Sequence, residues 1–169
     1  MARVGEYSSC TYKTVIRKIK MNVGESKTTM KRYNVGIIGT GWCGGIRANT
    51  CANSALVDEL HIAEINAERL DEVAKETGPK MTTTDYTELL ANDGIDALII
   101  SATPETTHFP MARECLKAGK HLFLEKPMSL TLKEADELVD LARGNNLKFT
   151  IGYSQRFNPK FAYVKKSFA

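Results

Sequence analysis

A glycine-rich segment, Gly39-Thr40-Gly41-Trp42-Cys43-Gly44, has the residue types and the spacing to hold a phosphate group. Gly39 permits a tight turn, Gly41 lets an anion approach the backbone, and Gly44 lets a following helix pack closely on the preceding strand. The free N–H groups and the positive end of that helix favour a negatively charged group. The segment therefore predicts a site for the pyrophosphate of a dinucleotide.

An acidic residue follows at the distance expected for a partner of this loop. Glu64 lies twenty residues after Gly44, at the end of a second predicted strand, where a carboxylate can accept hydrogen bonds from adenosine ribose hydroxyls. A carboxylate there repels a 2'-phosphate and favours NAD, whereas the nearby cation Arg69 keeps NADP possible. Glu64 could also be an ordinary surface acid, and methyltransferases with an adenosyl cofactor share part of this pattern.

The order of apolar and polar residues from Tyr33 onward predicts strands that alternate with helices. Short apolar runs predict six strands, at 33–39, 56–64, 80–82, 97–100, 121–124 and 148–151. Helical patterns predict a first helix opening at the glycine loop and others at 66–77, 107–118 and 131–142. This alternation predicts an α/β fold, a doubly wound parallel sheet of the Rossmann type with helices on both faces.

Capping residues are expected to set the ends of several helices. Asn66 can cap the second helix, and Gly78-Pro79 can end it. The segment 85–88 has the form of an N-cap, Asp85, followed three residues later by a glutamate, and Thr131 with Glu134 forms a capping box.

Later segments resemble a known family. They are Ser101-Ala102-Thr103-Pro104-Glu105-Thr106-Thr107-His108, Ala118-Gly119-Lys120-His121-Leu122-Phe123-Leu124-Glu125-Lys126-Pro127 and Gly152-Tyr153-Ser154-Gln155-Arg156-Phe157-Asn158-Pro159. From about Tyr33 to its C-terminus the chain resembles the Gfo/Idh/MocA oxidoreductases, which include glucose-fructose oxidoreductase and inositol dehydrogenase. The resemblance implies hydride transfer between NAD, or alternatively NADP, and a sugar, polyol or related hydroxy or carbonyl compound.

Within that resemblance the Glu-Lys-Pro motif carries the chemistry. Lys126 matches a lysine near the nicotinamide and the substrate, where a cation can hold a substrate hydroxyl and stabilise the alkoxide character that develops as hydride leaves. Glu125 is implied to contact the nicotinamide side of the cofactor. Pro127 is implied to fix the turn with a cis bond.

Further cofactor contacts are implied on neighbouring loops. The residues that match the loop beside the cofactor are Ser101, Thr103, Pro104 and His108. Glu105 stands where the family frequently has asparagine, and His108 could instead be a helix N-terminal residue that packs against the loop. Arg156 could contact cofactor or substrate, or anchor the crossover into a second domain.

The predicted organisation is an N-terminal extension at 1–31, a dinucleotide-binding domain at 32–152 and the start of a crossover at 153–169. Family members continue into an α/β substrate domain, which this sequence is expected to lack, together with the acid/base group that hydride transfer needs. It could be a fragment of a longer dehydrogenase, a truncated or split product that only binds nucleotide, or half of a hetero-oligomer. A non-catalytic nucleotide sensor is the alternative from another class of function.

Composition narrows the expected partners. The 169 residues carry a net charge of +3 with mostly dispersed basic side chains, which argues against nucleic acid, and the four cysteines lack metal-ligand spacing, so no metal is expected. No apolar run approaches the roughly 20 residues of a membrane span, and a cytoplasmic location is expected. Expected partners are a nicotinamide dinucleotide, a small sugar or polyol substrate and, through uncovered apolar surface near the sixth strand, further copies of the chain.

Overall fold

The computed structural model describes residues 30–168, so the extension predicted at 1–31 lies outside the described residues apart from its last two. The strands are β1 (Tyr33–Ile38), β2 (Val57–Ala63), β3 (Met81–Thr83), β4 (Ala97–Ile100), β5 (His121–Leu124) and β6 (Phe149–Ile151). The α-helices are α1 (Trp42–Ala52), α2 (Ala67–Thr77), α3 (Thr87–Ala91), α4 (His108–Lys117), α5 (Leu132–Gly144) and α6 (Pro159–Ser167). Short 3-10 turns lie at Glu105–Thr107 and Ser154–Phe157.

The six strands of the described chain form one parallel sheet in the order β3-β2-β1-β4-β5-β6. The chain moves outward from β1 to β3, then returns to the other side of β1 and moves outward again to β6. Loops that leave β1 and β4 therefore diverge, and a crevice opens at the carboxyl ends of these two strands. This order confirms the doubly wound sheet predicted from the sequence.

Helices cover both faces of the sheet, so its central strands bury side chains in both directions. One apolar cluster lies beneath α4 and α5 and includes the fully buried Leu98, Leu116 and Leu138. A second lies beneath α1 and α2 and includes Ile37 and Ile62, which have no exposed surface. The two clusters fix the carboxyl edge of the sheet, from which the site loops emerge.

Two of the predicted helix caps are present. The side chain of Asn66 accepts a hydrogen bond from the N–H of Arg69 at 3.0 Å, and α2 ends at Gly78, which has a left-handed φ of +59°. Thr131 and Glu134 bond each other's backbone N–H groups in a reciprocal capping box at the start of α5.

The cap predicted at Asp85 is wrong by one position. Tyr86 is the residue that precedes α3, one position after Asp85. The N–H of Asp85 donates to the hydroxyl of Thr83 at 3.0 Å and is therefore not available to the Glu88 carboxylate, as a capping box would require. The Asp85 carboxylate accepts from the hydroxyl and the N–H of Thr87, and these hydrogen bonds lower the pKa of Asp85. The result is a side-chain-stabilised turn in place of a capping box.

Beyond β6 the chain forms a 3-10 turn and then α6, where the sequence predicted only a crossover. Pro159 begins α6, and the side chain of Asn158 caps it by accepting from the N–H of Lys160 at 3.0 Å. α6 buries no residue, and Phe161 and Tyr163 are exposed. Among residues 30–168, no helix has the length and apolar character needed to cross a membrane.

Candidate dinucleotide site

The glycine loop joins β1 to α1 at the carboxyl edge of the sheet, against the loop that follows β4. Gly39 has a φ of +83°, and a Cβ on it would lie 2.8 Å from the backbone N and Cα of Ala102. A Cβ on Gly44 would overlap the carbonyl oxygen of Gly39. Neither position has room for a side chain, so the first turn of α1 lies directly on the loop.

Gly41, in contrast, faces open space at the start of α1. Nothing lies within 4 Å of a Cβ built on it, no side chain caps the helix, and the first turn carries no acid. Because the backbone ladder begins with the bond from Gly45 N to the Gly41 oxygen, the N–H groups of Trp42 and Cys43 precede it and have no partner within the helix. An uncapped N-terminus of an 11-residue helix beside an open glycine can receive an anion.

Glu64 follows β2 directly, and three protein donors hold its carboxylate. Oε2 accepts from the N–H of Thr40 at 2.6 Å and from the Thr40 hydroxyl at 3.0 Å, while Oε1 accepts from the N–H of Asn66 at 3.0 Å. A carboxylate can accept about four hydrogen bonds, so one position on Oε1 remains free. Glu64 is therefore a fixed, charged acceptor at the rim of the site.

Arg69 reaches from α2 back to the glycine loop. Its Nε donates to the carbonyl oxygen of Thr40 at 2.9 Å, and its Nη1 pairs with Glu72 at 3.0 Å. Its Nη2 lies 2.7 Å from the place that a Cβ on Gly45 would take, so a side chain at residue 45 would displace the end of Arg69. Nε thus joins α2 to the loop and Nη1 is engaged within α2, which leaves less of the guanidinium for the 2'-phosphate than the sequence alone suggested.

The structure brings several of the predicted cofactor residues around one cavity of ≈ 430 Å³, namely Gly39, Gly41, Glu64, Arg69, Ser101 and Thr103. Ile65 and Met111 add apolar walls. The Ser101 hydroxyl is buried and has no hydrogen-bond partner among the described residues, an arrangement that costs about 1–3 kcal/mol when nothing pairs with it. The open glycine and the uncapped helix together fit a bound dinucleotide.

The loops after β4 and β5 are joined by one histidine. His108 is 2% exposed, with its Nδ1 2.6 Å from the carbonyl oxygen of Pro127 and its Nε2 3.0 Å from that of Ala102. Both ring nitrogens therefore face backbone carbonyls, as in the packing alternative for this residue, and a direct cofactor contact stays a prediction. The Thr103–Pro104 peptide bond in the first of these loops is cis, which the sequence did not predict.

The Glu-Lys-Pro motif directly follows β5, and its Lys126–Pro127 bond is cis, as the resemblance implied. Glu125 is 8% exposed and forms an ion pair with Arg47 of α1. Lys126 is exposed and lines a second cavity, of ≈ 480 Å³, together with Arg156. Within the motif, Glu125 is thus part of a buried ion pair, whereas Lys126 is an exposed cation.

Two predicted contact residues lie away from these cavities, and one residue that contacts the Glu-Lys-Pro motif was not predicted. The side chain of Trp42 is 84% exposed and lines neither of these cavities; with Ile46 it borders a separate surface depression. Cys43 is partly exposed on the same turn, so the two could contribute to the site through backbone N–H groups. Arg47 was missed because its partner Glu125 lies 78 positions away in the sequence. The available signal was its position three residues after Gly44, which places it on the face of α1 that packs on the sheet.

Three ionisable groups, of which Tyr86 lines the dinucleotide cavity, are held in their neutral forms. The Tyr86 hydroxyl donates to Glu114 at 2.6 Å, and this bond, with burial, raises the pKa of Tyr86 to about 12. Burial raises the pKa of the Cys115 thiol to about 12 and also raises that of Cys51, against a smaller lowering by Arg47. These three groups stay protonated near neutral pH and supply no base there.

Sequence comparison identifies a family and related proteins. The family model described as "Oxidoreductase family, NAD-binding Rossmann fold" (Gfo/Idh/MocA) matches residues 33–153. The UDP-N-acetylglucosamine 3-dehydrogenase of Acidithiobacillus ferrooxidans is 34% identical over 138 residues, 82% of this chain and 42% of that protein. The scyllo-inositol 2-dehydrogenase (NADP(+)) of Bacillus subtilis is 30% identical over 132 residues, 78% of this chain and 36% of that protein.

The fold is also similar to that of a solved structure. The scyllo-inositol dehydrogenase from Lactobacillus casei with bound cofactor NAD(H) and scyllo-inositol aligns with a TM-score of 0.74 at 29% identity, covering 80% of this chain and 40% of that one. This chain spans about two fifths of the length of these relatives. The matched residues, 33–153, include all strands from β1 to β6, the glycine loop and the Glu-Lys-Pro motif. The chain belongs to the Gfo/Idh/MocA oxidoreductase family, of which it contains the NAD-binding Rossmann fold.

Proposed function

We propose that this chain forms the dinucleotide-binding part of an oxidoreductase that transfers hydride between NAD and a C–OH group of a sugar, polyol or related compound. The observation that carries the proposal is the open Gly41 at the uncapped start of α1, at the carboxyl edge of the sheet. The relatives named above act on inositol or on a nucleotide sugar by their names, which supports this substrate class. The cofactor, when bound, accepts or donates the hydride.

The pyrophosphate and the adenosine are assigned to neighbouring parts of the site. The N–H groups of Trp42 and Cys43 would hold the phosphate oxygens, because they lie outside the helical ladder. The free position on Glu64 Oε1 would accept from a ribose hydroxyl. The same carboxylate repels a 2'-phosphate, and Arg69 is engaged with Thr40 and Glu72, so NAD is favoured over NADP.

Lys126 is assigned to the substrate. It is exposed, and no carboxylate belongs to the described lining of its cavity, so its ammonium group is available to a substrate hydroxyl. As hydride leaves the carbon, the oxygen gains negative charge, which a cation placed there stabilises. A positioned proton acceptor has to complete the reaction.

Calorimetric titration with NAD+ of two alanine variants tests the assignment of the loop. Gly41→Ala adds a methyl group that meets no protein atom within 4 Å, so the fold should tolerate it, yet it projects where the pyrophosphate must approach. Loss of about 2 kcal/mol of phosphate interaction corresponds to a Kd about 30-fold higher. Gly144→Ala, at the end of α5, has equally empty surroundings and should leave the Kd unchanged.

The two variants make the outcome decisive. A wild-type chain that binds NAD+, with only Gly41→Ala weakened, supports the proposal. Equal binding by both variants would place the dinucleotide away from the glycine loop and contradict it, as would a wild-type chain without affinity for NAD+.

A further inference from the structure

One ionic contact crosses from the helix of the glycine loop to the Glu-Lys-Pro motif. Arg47 lies in α1, and its Nη2 contacts Oε1 of Glu125, just after β5. The two side chains are only 26% and 10% exposed. A pair this far removed from water depends on both partners, because the loss of either leaves a buried charge.

The guanidinium of Arg47 has a second contact, with a residue of β5 itself. Its Cζ lies 4.4 Å from the centre of the Phe123 ring, two residues before Glu125. A guanidinium over an aromatic face is attracted by the ring electrons and loses freedom to turn. Arg47 therefore holds one orientation against the end of β5.

The carboxylate of Glu125 is confined on its remaining sides. Its Oε2 accepts from the N–H of Lys126 at 3.3 Å, and a Cβ on Gly152 would lie 2.9–3.0 Å from the carboxylate atoms. Gly152 and Lys126 both line the second cavity. The position of the lysine backbone is thus linked, through one carboxylate, to Arg47.

We propose that Arg47 is a positioning residue for the nicotinamide end of the site: through Glu125 it joins the helix that would bind the pyrophosphate to the backbone of Lys126. This inference rests on the proposed function. Arg47 is expected to leave the adenosine and pyrophosphate contacts intact and to act only on the part of the ligand that lies beyond them.

Comparison of NAD+ with ADP-ribose, which lacks the nicotinamide, separates positioning from general damage. In Arg47→Met, the affinity for NAD+ is expected to fall about fivefold relative to ADP-ribose, while ADP-ribose affinity stays nearly unchanged. Arg47→Lys, which keeps the charge, should recover part of the ratio. Arg143→Met, at an exposed position of α5, removes an arginine far from the site and should behave as wild type.

Each result decides the inference. Equal losses for both ligands, or an unchanged ratio, would overturn it. Arg47→Gln, a milder change that also removes the charge, is measured beside the methionine variant, and failure of both to fold would assign Arg47 to the fold and overturn the positioning role. If the wild-type chain binds neither ligand, the proposed function itself is contradicted. If the wild-type chain binds both ligands but the variants of Arg47 leave the ratio of affinities unchanged, only the positioning role is overturned.

Discussion

Replacement of Glu64 by glutamine should change the preference of the site between NAD+ and NADP+. The carboxylate takes hydrogen bonds from two groups of Thr40 and one of Asn66, and a glutamine amide can satisfy only part of this set because its NH2 group faces a donor. We expect a free energy of unfolding lower by about 1–2 kcal/mol, since the site is partly exposed. The ribose hydroxyl also loses a charged acceptor, which should raise the Kd for NAD+ about tenfold.

The effect on NADP+ should have the opposite sign. Two unit charges about 4 Å apart repel by about 4 kcal/mol at an effective dielectric constant of about 20. If solvent and salt halve this value, loss of the Glu64 charge still lowers the Kd for NADP+ about 30-fold. With the rise of about tenfold expected for NAD+, the ratio of the two Kd values changes by about 300-fold toward NADP+.

Calorimetry with both nucleotides measures that ratio, and thermal unfolding measures the cost to the fold. Glu88→Gln removes the same charge from an exposed position in α3 and serves as the control. A Glu64→Gln chain that keeps the wild-type ratio would refute the reasoning, because the carboxylate would then lie out of reach of the ribose.

Two further predictions concern the thiols and the C-terminal surface. At pH 8.5 the thiol of Cys115, with its pKa of about 12, stays protonated and buried, so iodoacetamide should alkylate Cys43 before Cys51 or Cys115. Bound NAD+ should protect Cys43 from the reagent. Peptide mass spectrometry checks both points, and early labelling of Cys115 or a lack of protection would contradict them. The exposed aromatic residues Phe157, Phe161 and Phe168 should cause concentration-dependent self-association in light scattering, and a monomer at all concentrations would count against this.

Local features of the site could be predicted from the sequence because they depend on neighbouring residues. The roles of Gly39 and Gly44 follow from a turn and from close helix packing, and the structure shows both positions closed to a side chain. The capping box of Thr131 and Glu134 is equally local. The doubly wound parallel sheet could be predicted from the alternation of strands and helices, since few topologies suit that alternation.

Long-range contacts could not be predicted in the same way. The pair of Arg47 with Glu125 depends on how α1 crosses the sheet, and the engagement of Glu64 by Thr40 depends on the exact separation of two loops. No spacing in the sequence reports such approaches. The elements after β6 were also missed: Asn158 and Pro159 are a local start signal for α6, but its 9 residues are too few to show a repeated apolar period.

The most direct test of the central claim is a crystal structure of this chain with NAD+. The account predicts a dinucleotide along the carboxyl edge of the sheet, its pyrophosphate at the N–H groups of Trp42 and Cys43, its adenosine ribose at Glu64 and its nicotinamide toward Lys126. A dinucleotide bound elsewhere, or one whose phosphates lie away from the start of α1, would contradict it.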